Sequence, residues 1–212
     1  MGSACLALCI AHDGAIAAGY GDGTVRLWRE TEPGAFAAGA SFAVGTVVRG
    51  LAGAGTDLAQ CGNDGIVRLW RPGGAGAYTL AAASPAVGSY IFCIAAVARR
   101  GRHEGAWELA AGSDDGLVRL WRLGAEGALS CVQAFGAGGG VWSIRAVGNG
   151  DLLVAADTGG LLLFSRAPSR AAPRSLQLSQ AAAQQAYAAA NGGQVAAPLG
   201  GVTGRGGEGG GV

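Results

Sequence analysis

The 212-residue chain contains no lysine; all fifteen of its basic residues are arginine. It has two histidines, one methionine and a charged fraction of only 14%, with a formal net charge of +1. So even a balance leaves no electrostatic footprint for a phosphate backbone, and nucleic acid is not an expected partner. The arginine-only basicity, joined to a heavy load of alanine and glycine, reads as compositional bias rather than a binding surface. The one basic cluster, "ARRGRHEG" at 98–105, reads as an exposed loop insertion. Long apolar runs are missing too. The longest is near "SYIFCIAAVA" at 89–98, half of the about 20 residues that a spanning helix needs, so no membrane partner is expected. The opening "MGSACLALCIAHDG" lacks the basic region of a signal peptide. Leu6 stands where N-myristoylation wants Ser or Thr.

Recognisable chemistry is equally scarce. Cys5, Cys9, Cys61, Cys93 and Cys131 match no CxxC or Cys/His ligand spacing, so no metal site is expected. Each falls in an apolar run, where cysteine acts as a small hydrophobe, and this fits a reducing cytosol. There is no G-x-S-x-G, HExxH or P-loop. "GYGDGT" at 19–24 has glycines but no following helix to present a phosphate site. Asp114 and Asp115 are adjacent in a turn, where their side chains diverge, so they do not read as a catalytic pair. Neither an enzyme nor a cofactor is expected.

What the chain does have is one phrase written repeatedly. "GDGTVRLWR" occupies 21–29, "GNDGIVRLWR" 62–71 and "SDDGLVRLWR" 113–122, with a blurred copy, "DTGGLLLFSR", at 157–166. Trp28, Trp70, Trp121 and Phe164 are one repeated position, at spacings of 42, 51 and 43 residues. A period of about 40–45 residues is that of a propeller blade. Five residues before each anchor stands Gly23, Gly65, Gly116 or Gly159, preceded by Asp22, Asp64, Asp115 or Thr158. Asp-Gly between apolar runs signals a tight hairpin, because glycine accepts the left-handed conformation.

The run after each turn alternates as a strand does. The run before it is a second strand: "AIAAGY", "DLAQCG", "WELAAGS" and "LLVAAD". Further upstream lies a more continuously apolar third: "CLALCIA", "TVVRGLAG", "YIFCIAAVA" and "VWSIRAV". A fourth, weaker strand follows three anchors: "GAFAAGAS", "AYTLAAA" and "LSCVQAF". The predicted fold is therefore all-β, a propeller with blades at about 1–42, 43–84, 85–137 and 138–166. Residues 167–193 read as a linker with a short helix, "LQLSQAAAQQAYAAA", and 194–212 as a flexible Gly-rich tail.

This pattern resembles the WD40 repeat, with Trp28, Trp70 and Trp121 in the Trp place and Arg in the following Asp place. The Gly-His that usually opens such a unit is absent, since His12 and His103 lie elsewhere. The resemblance therefore implies blades that lean more on apolar packing. WD40 rings commonly hold about seven blades, so four are expected to form an open arc, a fragment of a ring. The order "VVRGLA", "YIFCI" and "VWSI…NGDLLV…GGLLLF" further resembles the last four blades of the phospholipase A-2-activating protein family. Members of that family are ubiquitin-binding adaptors of the AAA unfoldase valosin-containing protein.

That resemblance implies ubiquitin or ubiquitinated proteins as partners, a role in ubiquitin-dependent degradation, and residence in cytoplasm and nucleus. It implies no lipase activity, and an unfoldase partner only where a C-terminal helical domain is present. The alternative is a generic protein-interaction scaffold with no ubiquitin role. In either case the binding face is expected where the turns meet the starts of the inner strands. The equivalent inner-strand positions are Leu6, Arg49, Phe92 and Trp142. One Arg with two aromatics has the composition of an interface hot spot, although Phe92 and Trp142 could instead be packed between blades. Asp22, Asp64, Asp114 and Asp115 would face a basic partner rim from the turns, or simply hold those turns.

Overall fold

The computed structural model describes residues 2–74, 77–98, 107–148 and 150–165. The loop insertion (all but Ala98), the linker with its short helix, and the Gly-rich tail lie outside these residues.

The described chain is all strand and turn, in four antiparallel sheets. The first sheet holds β1 (Cys5–Ile10), β2 (Ile16–Tyr20), β3 (Thr24–Glu32) and β4 (Ala35–Ala43). The second holds β5 (Val48–Ala54), β6 (Asp57–Gly62), β7 (Arg68–Pro72) and β8 (Tyr78–Ala83). The third holds β9 (Ile91–Ala98), β10 (Trp107–Ser113), β11 (Leu117–Leu123) and β12 (Leu129–Gly136). The fourth has three strands among the described residues: β13 (Val141–Ala146), β14 (Leu152–Ala156) and β15 (Leu161–Phe164). Each sheet is a meander in which every strand pairs with its sequence neighbour. This is the blade predicted from the repeated phrase.

The same turn closes every blade between its second and third strands. Gly23, Gly65, Gly116 and Gly159 all have φ between 69° and 81°, the left-handed region that a side chain disfavours. Their amides close the turns on Tyr20, Gly62, Ser113 and Ala156. The carbonyls of Gly23, Gly65 and Gly116 then accept the amides of Val44, Val87 and Ala137 at 2.8–3.0 Å. Each turn thus also fixes the chain leading into the next blade. The Asp carboxylates hold the turns from outside: Asp22, Asp64 and Asp115 accept the amides of Thr24, Ile66 and Leu117.

Blades stack face to face through one interface made three times. On the back of blades one to three stand Ala17, Val25 and Leu27; Ala59, Val67 and Leu69; and Ala110, Val118 and Leu120, all buried. On the front of blades two to four stand Val48, Leu51 and Trp70; Ile91, Ile94 and Trp121; and Val141, Ile144 and Phe164. The anchor aromatic enters the preceding blade. Trp70 meets Phe42 at 4.6 Å between ring centroids, and Phe164 meets Phe135 at 4.4 Å. The packing runs in series from blade one to blade four, and among the described residues the fourth makes no packed interface with the first, so the described blades form an open arc.

Two features go beyond the sequence reading. Beside the apolar packing, the residue after each anchor ties back to an acid near the start of the second strand. Arg71 binds Asp57 at 2.8 and 3.1 Å, and Arg122 binds the buried Glu108. Arg29 binds Asp13, and Ser165 donates to Asp151 at 2.8 Å. The Arg29 guanidinium holds the Asp13 carboxyl below its ordinary range. The second is that Arg68, which strand alternation alone would turn towards solvent, is mostly buried. It pairs with Asp64 as Arg26 pairs with Asp22 and Arg119 with Asp115. Arg26 is the most exposed of the three and Arg119 is fully buried.

This gradient sets an expected order of damage. Trp70→Ala should cost about 3–5 kcal/mol, the usual loss for emptying a large aromatic site. Arg26→Ala should cost about 0–1 kcal/mol as an exposed pair. Arg119→Ala should cost more, about 1–3 kcal/mol, because it removes a fully buried side chain and leaves the buried Ser113 hydroxyl without its partner. Arg68→Ala should fall between. Urea-unfolding midpoints that rank Arg26→Ala worst would refute the register.

Candidate functional site

Every inner strand carries a β-bulge near its start. In the first blade the pairing runs from Cys5–Tyr20 directly to Ala7–Gly19, leaving Leu6 unpaired. In the second it skips from Val48–Gly62 to Gly50–Cys61, leaving Arg49. In the third Phe92 is skipped, and in the fourth Trp142. A bulge inserts one residue into a strand and re-aims its side chain. The four positions deduced as equivalent from sequence are therefore the four bulged residues. The bulges themselves leave no mark in composition.

Three of the four side chains join across blades. The Phe92 and Trp142 rings stack with centroids 4.5 Å apart and planes within 3°. The Arg49 guanidinium carbon lies 5.7 Å from the Phe92 centroid, within reach of a cation–π contact. Tyr90 approaches Phe92 at 6.4 Å. Trp142 is 55% exposed, so its ring is not inter-blade core, while Phe92 is half-buried beneath the row. Leu6 is exposed. Such aromatic pairs contribute about 0.5–1.5 kcal/mol beyond the area they bury.

The supports of the row come from the turns, one residue before the Asp-Gly aspartates. Asn63 accepts the Arg49 Nε–H at 2.8 Å. At the same repeat position Asp157 accepts the indole N–H of Trp142, and also the Gly140 amide at 3.1 Å. Sequence reasoning missed both supports. Their constant offset of seven residues before the anchor was the available signal. Asp114 holds this position in the third blade. It is exposed, and its Oδ1 would lie 3.5 Å from a β-carbon placed on Gly140, beside Trp142.

The remaining acidic candidates lie in the same turns with their carboxylates engaged. Asp22 accepts the Thr24 hydroxyl at 2.6 Å and the Arg26 guanidinium at 3.2 Å. The Thr24 hydroxyl, then its amide, lower the Asp22 pKa below the ordinary value. Asp64 and Asp115 each hold an amide and an arginine. Beneath the row, burial pushes the Cys93 thiol up to about 12 and the Cys61 thiol well above its ordinary value. Neither offers a thiolate near neutral pH. Among the described residues no cluster of His, Cys, Asp and Glu could hold a metal ion. The surface is chemically one for contact: flat aromatic faces, one cation, and a carboxylate at the edge.

The comparisons with known proteins agree on the fold. The family described as "WD domain, G-beta repeat" matches residues 2–29 and 86–122. No curated protein matches. Among solved structures, the WD40 β-propeller domain of Doa1 is 22% identical, with a TM-score of 0.60, over 77% of this chain and 51% of that one. BBS1N, solved in complex with ARL6DN, is 16% identical, with a TM-score of 0.55, over 72% of this chain and 47% of that one. The computationally designed Ika4 protein is 18% identical, with a TM-score of 0.57, over 77% of this chain and 92% of that one. The chain thus spans about half the length of the first two structures. The architecture is a four-blade WD40 propeller arc.

The Asp157 support makes a checkable prediction. Asp157→Ala should release the Trp142 indole, shifting and broadening one indole N–H resonance of the five tryptophans. Because both partners are exposed, stability should fall by less than about 1 kcal/mol. Five unchanged indole signals would show that the turn does not hold the ring.

Proposed function

We propose that this WD40 scaffold binds ubiquitin through its row of bulged residues and serves as an adaptor in ubiquitin-dependent degradation, in the cytoplasm and nucleus. The observation that carries this reading is the coplanar Phe92–Trp142 stack, half-buried at Phe92 and exposed at Trp142, flanked by Arg49. Aromatic rings that are already aligned lose little conformational freedom on binding, which suits a docking surface. Ubiquitin presents a small apolar patch ringed by basic residues. Phe92 and Trp142 would cover the patch, and Asp114 would meet the basic rim. Asp22, Asp64 and Asp115 would contribute field more than direct contact, since their oxygens already serve the turns.

The motifs resembling the phospholipase A-2-activating protein family support this choice of partner, and the fold is shared with the WD40 β-propeller domain of Doa1. Contact with an AAA unfoldase would require a helical domain that the described residues do not contain, and is not proposed. A small patch of this kind should give micromolar affinity, about −8 kcal/mol or weaker.

Titration of labelled ubiquitin into the 212-residue chain tests the proposal, with Phe92→Ala/Trp142→Ala alongside after folding has been checked. Saturable binding, weakened at least about tenfold in the double variant, is expected; each tenfold is about 1.4 kcal/mol. Absence of saturable binding would leave the generic scaffold reading. Equal binding by both proteins would place the site elsewhere.

A further inference from the structure

One half-buried arginine lacks a counter-charge, and it stands in the surface row. Among the described residues, the other buried or half-buried arginines are Arg26, Arg68, Arg119 and Arg122, and each pairs with an aspartate or glutamate. Arg49 is half-buried too, but its Nε–H is accepted at 2.8 Å by Asn63, a neutral amide, and its two amino groups meet no acceptor among the described residues. The turn position that supports the row is Gly21, Asn63, Asp114 and Asp157 in the four blades, so the amide stands where the next two blades have a carboxylate. Asn63 therefore orients the Arg49 guanidinium without neutralising it. A guanidinium keeps its charge at every physiological pH, and a charge taken partly out of water is costly until it is paired. Beside it the guanidinium carbon lies 5.7 Å from the Phe92 centroid, and that ring stacks on Trp142 at 4.5 Å.

We propose that Arg49 selects a carboxylate on the docking partner: an aspartate or glutamate side chain next to an apolar residue, with the acid on Arg49 and the apolar group on the Trp142 ring. This rests on the row as the docking surface, the reading given above, but not on ubiquitin as the partner. With the Nε–H held by Asn63, the N–H donors of the two amino groups remain, and a pair of them matches the two oxygens of a carboxylate. A phosphate dianion would ask for a second cation, and the other charged groups of the row are acids. A β-carbon placed on Gly140, at the Trp142 end, would lie 2.7 Å from an Asp157 oxygen and 3.5 Å from an Asp114 oxygen. Those acids favour a partner segment that runs on past the aromatics to a basic residue, so the carboxylate at Arg49 belongs to a side chain and not to a chain end. Because Asn63 and Phe92 already fix the guanidinium, little rotamer freedom is lost on pairing.

Blocked dipeptides titrated into the 212-residue chain test this, followed through the Arg49 Nε–H and Trp142 indole N–H resonances. Acetyl-Asp-Phe-amide should bind saturably and at least about fivefold more tightly than acetyl-Asn-Phe-amide, since a charge-assisted hydrogen bond is about twice as strong as a neutral one. Asn63→Asp is nearly isosteric and supplies the missing carboxylate from within the blade. It should keep the folded spectrum and erase the preference for the aspartyl probe, with the affinity for the asparaginyl probe unchanged. Arg49→Gln, followed at the indole, should do the same. Equal binding of the two probes by the wild type, no saturable binding of the aspartyl probe, or a preference that survives either substitution would overturn the proposal. Tighter binding of the phosphoseryl analogue would overturn it in favour of a phosphate. Tighter binding of acetyl-phenylalanine, whose only acid is its terminus, would overturn it in favour of a chain end. No probe contains ubiquitin, so the choice of ubiquitin as partner stands or falls separately, by its own titration.

Discussion

The structure depends on one contact: the anchor aromatic and a β-branched or leucine side chain of one blade entering the valine–leucine back of the blade before it. A lone four-stranded sheet with one apolar face has nothing to bury it against. Here each sheet has two such faces, so no blade is satisfied until it is flanked on both sides. This explains why the phrase is repeated, and why the repeated letters are those of the third strand. Val25, Leu27 and Trp28 serve opposite faces of the same strand, and the period of two sends them there. It also explains why the ends of the arc differ from its middle. Leu8 and Leu161 hold core positions of the repeat but face no blade among the described residues, and both are exposed.

Most of the fold was legible because both signals are local. The Asp-Gly turns announce themselves through the left-handed glycines, and the strands through alternation. β6 and β10 coincide with the predicted segments, and the other second strands differ by one residue at an end. The ion pairs were not legible. Arg71 and Asp57 stand fourteen residues apart, on strands whose pairing brings them together only once the hairpin forms. Nor was the burial of Arg68 and Arg119. An arginine in an alternating strand reads as a solvent-facing residue, but next to a blade face that side is covered, and the turn aspartate four residues earlier neutralises the charge.

The site was half legible. Equivalence across the repeat singled out Leu6, Arg49, Phe92 and Trp142, and three of these touch. The reason they project together is the bulge, a backbone irregularity that no side-chain pattern encodes. The turn supports, Asn63 and Asp157, were overshadowed by the neighbouring Asp-Gly pairs. The division of labour is clear in the structure. The Asp-Gly aspartates shape the turns, while the preceding residue holds the surface side chain of its own blade's inner strand.

If one contact is repeated at each internal interface, equivalent residues should contribute alike. The direct measurement is the loss of stability in Leu51→Ala, Ile94→Ala and Ile144→Ala, by urea unfolding under identical conditions. Each truncation should cost about 2–5 kcal/mol, with the three values within about 1 kcal/mol of one another. A near-neutral effect at any one of these positions would contradict the repeated interface on which the arc depends.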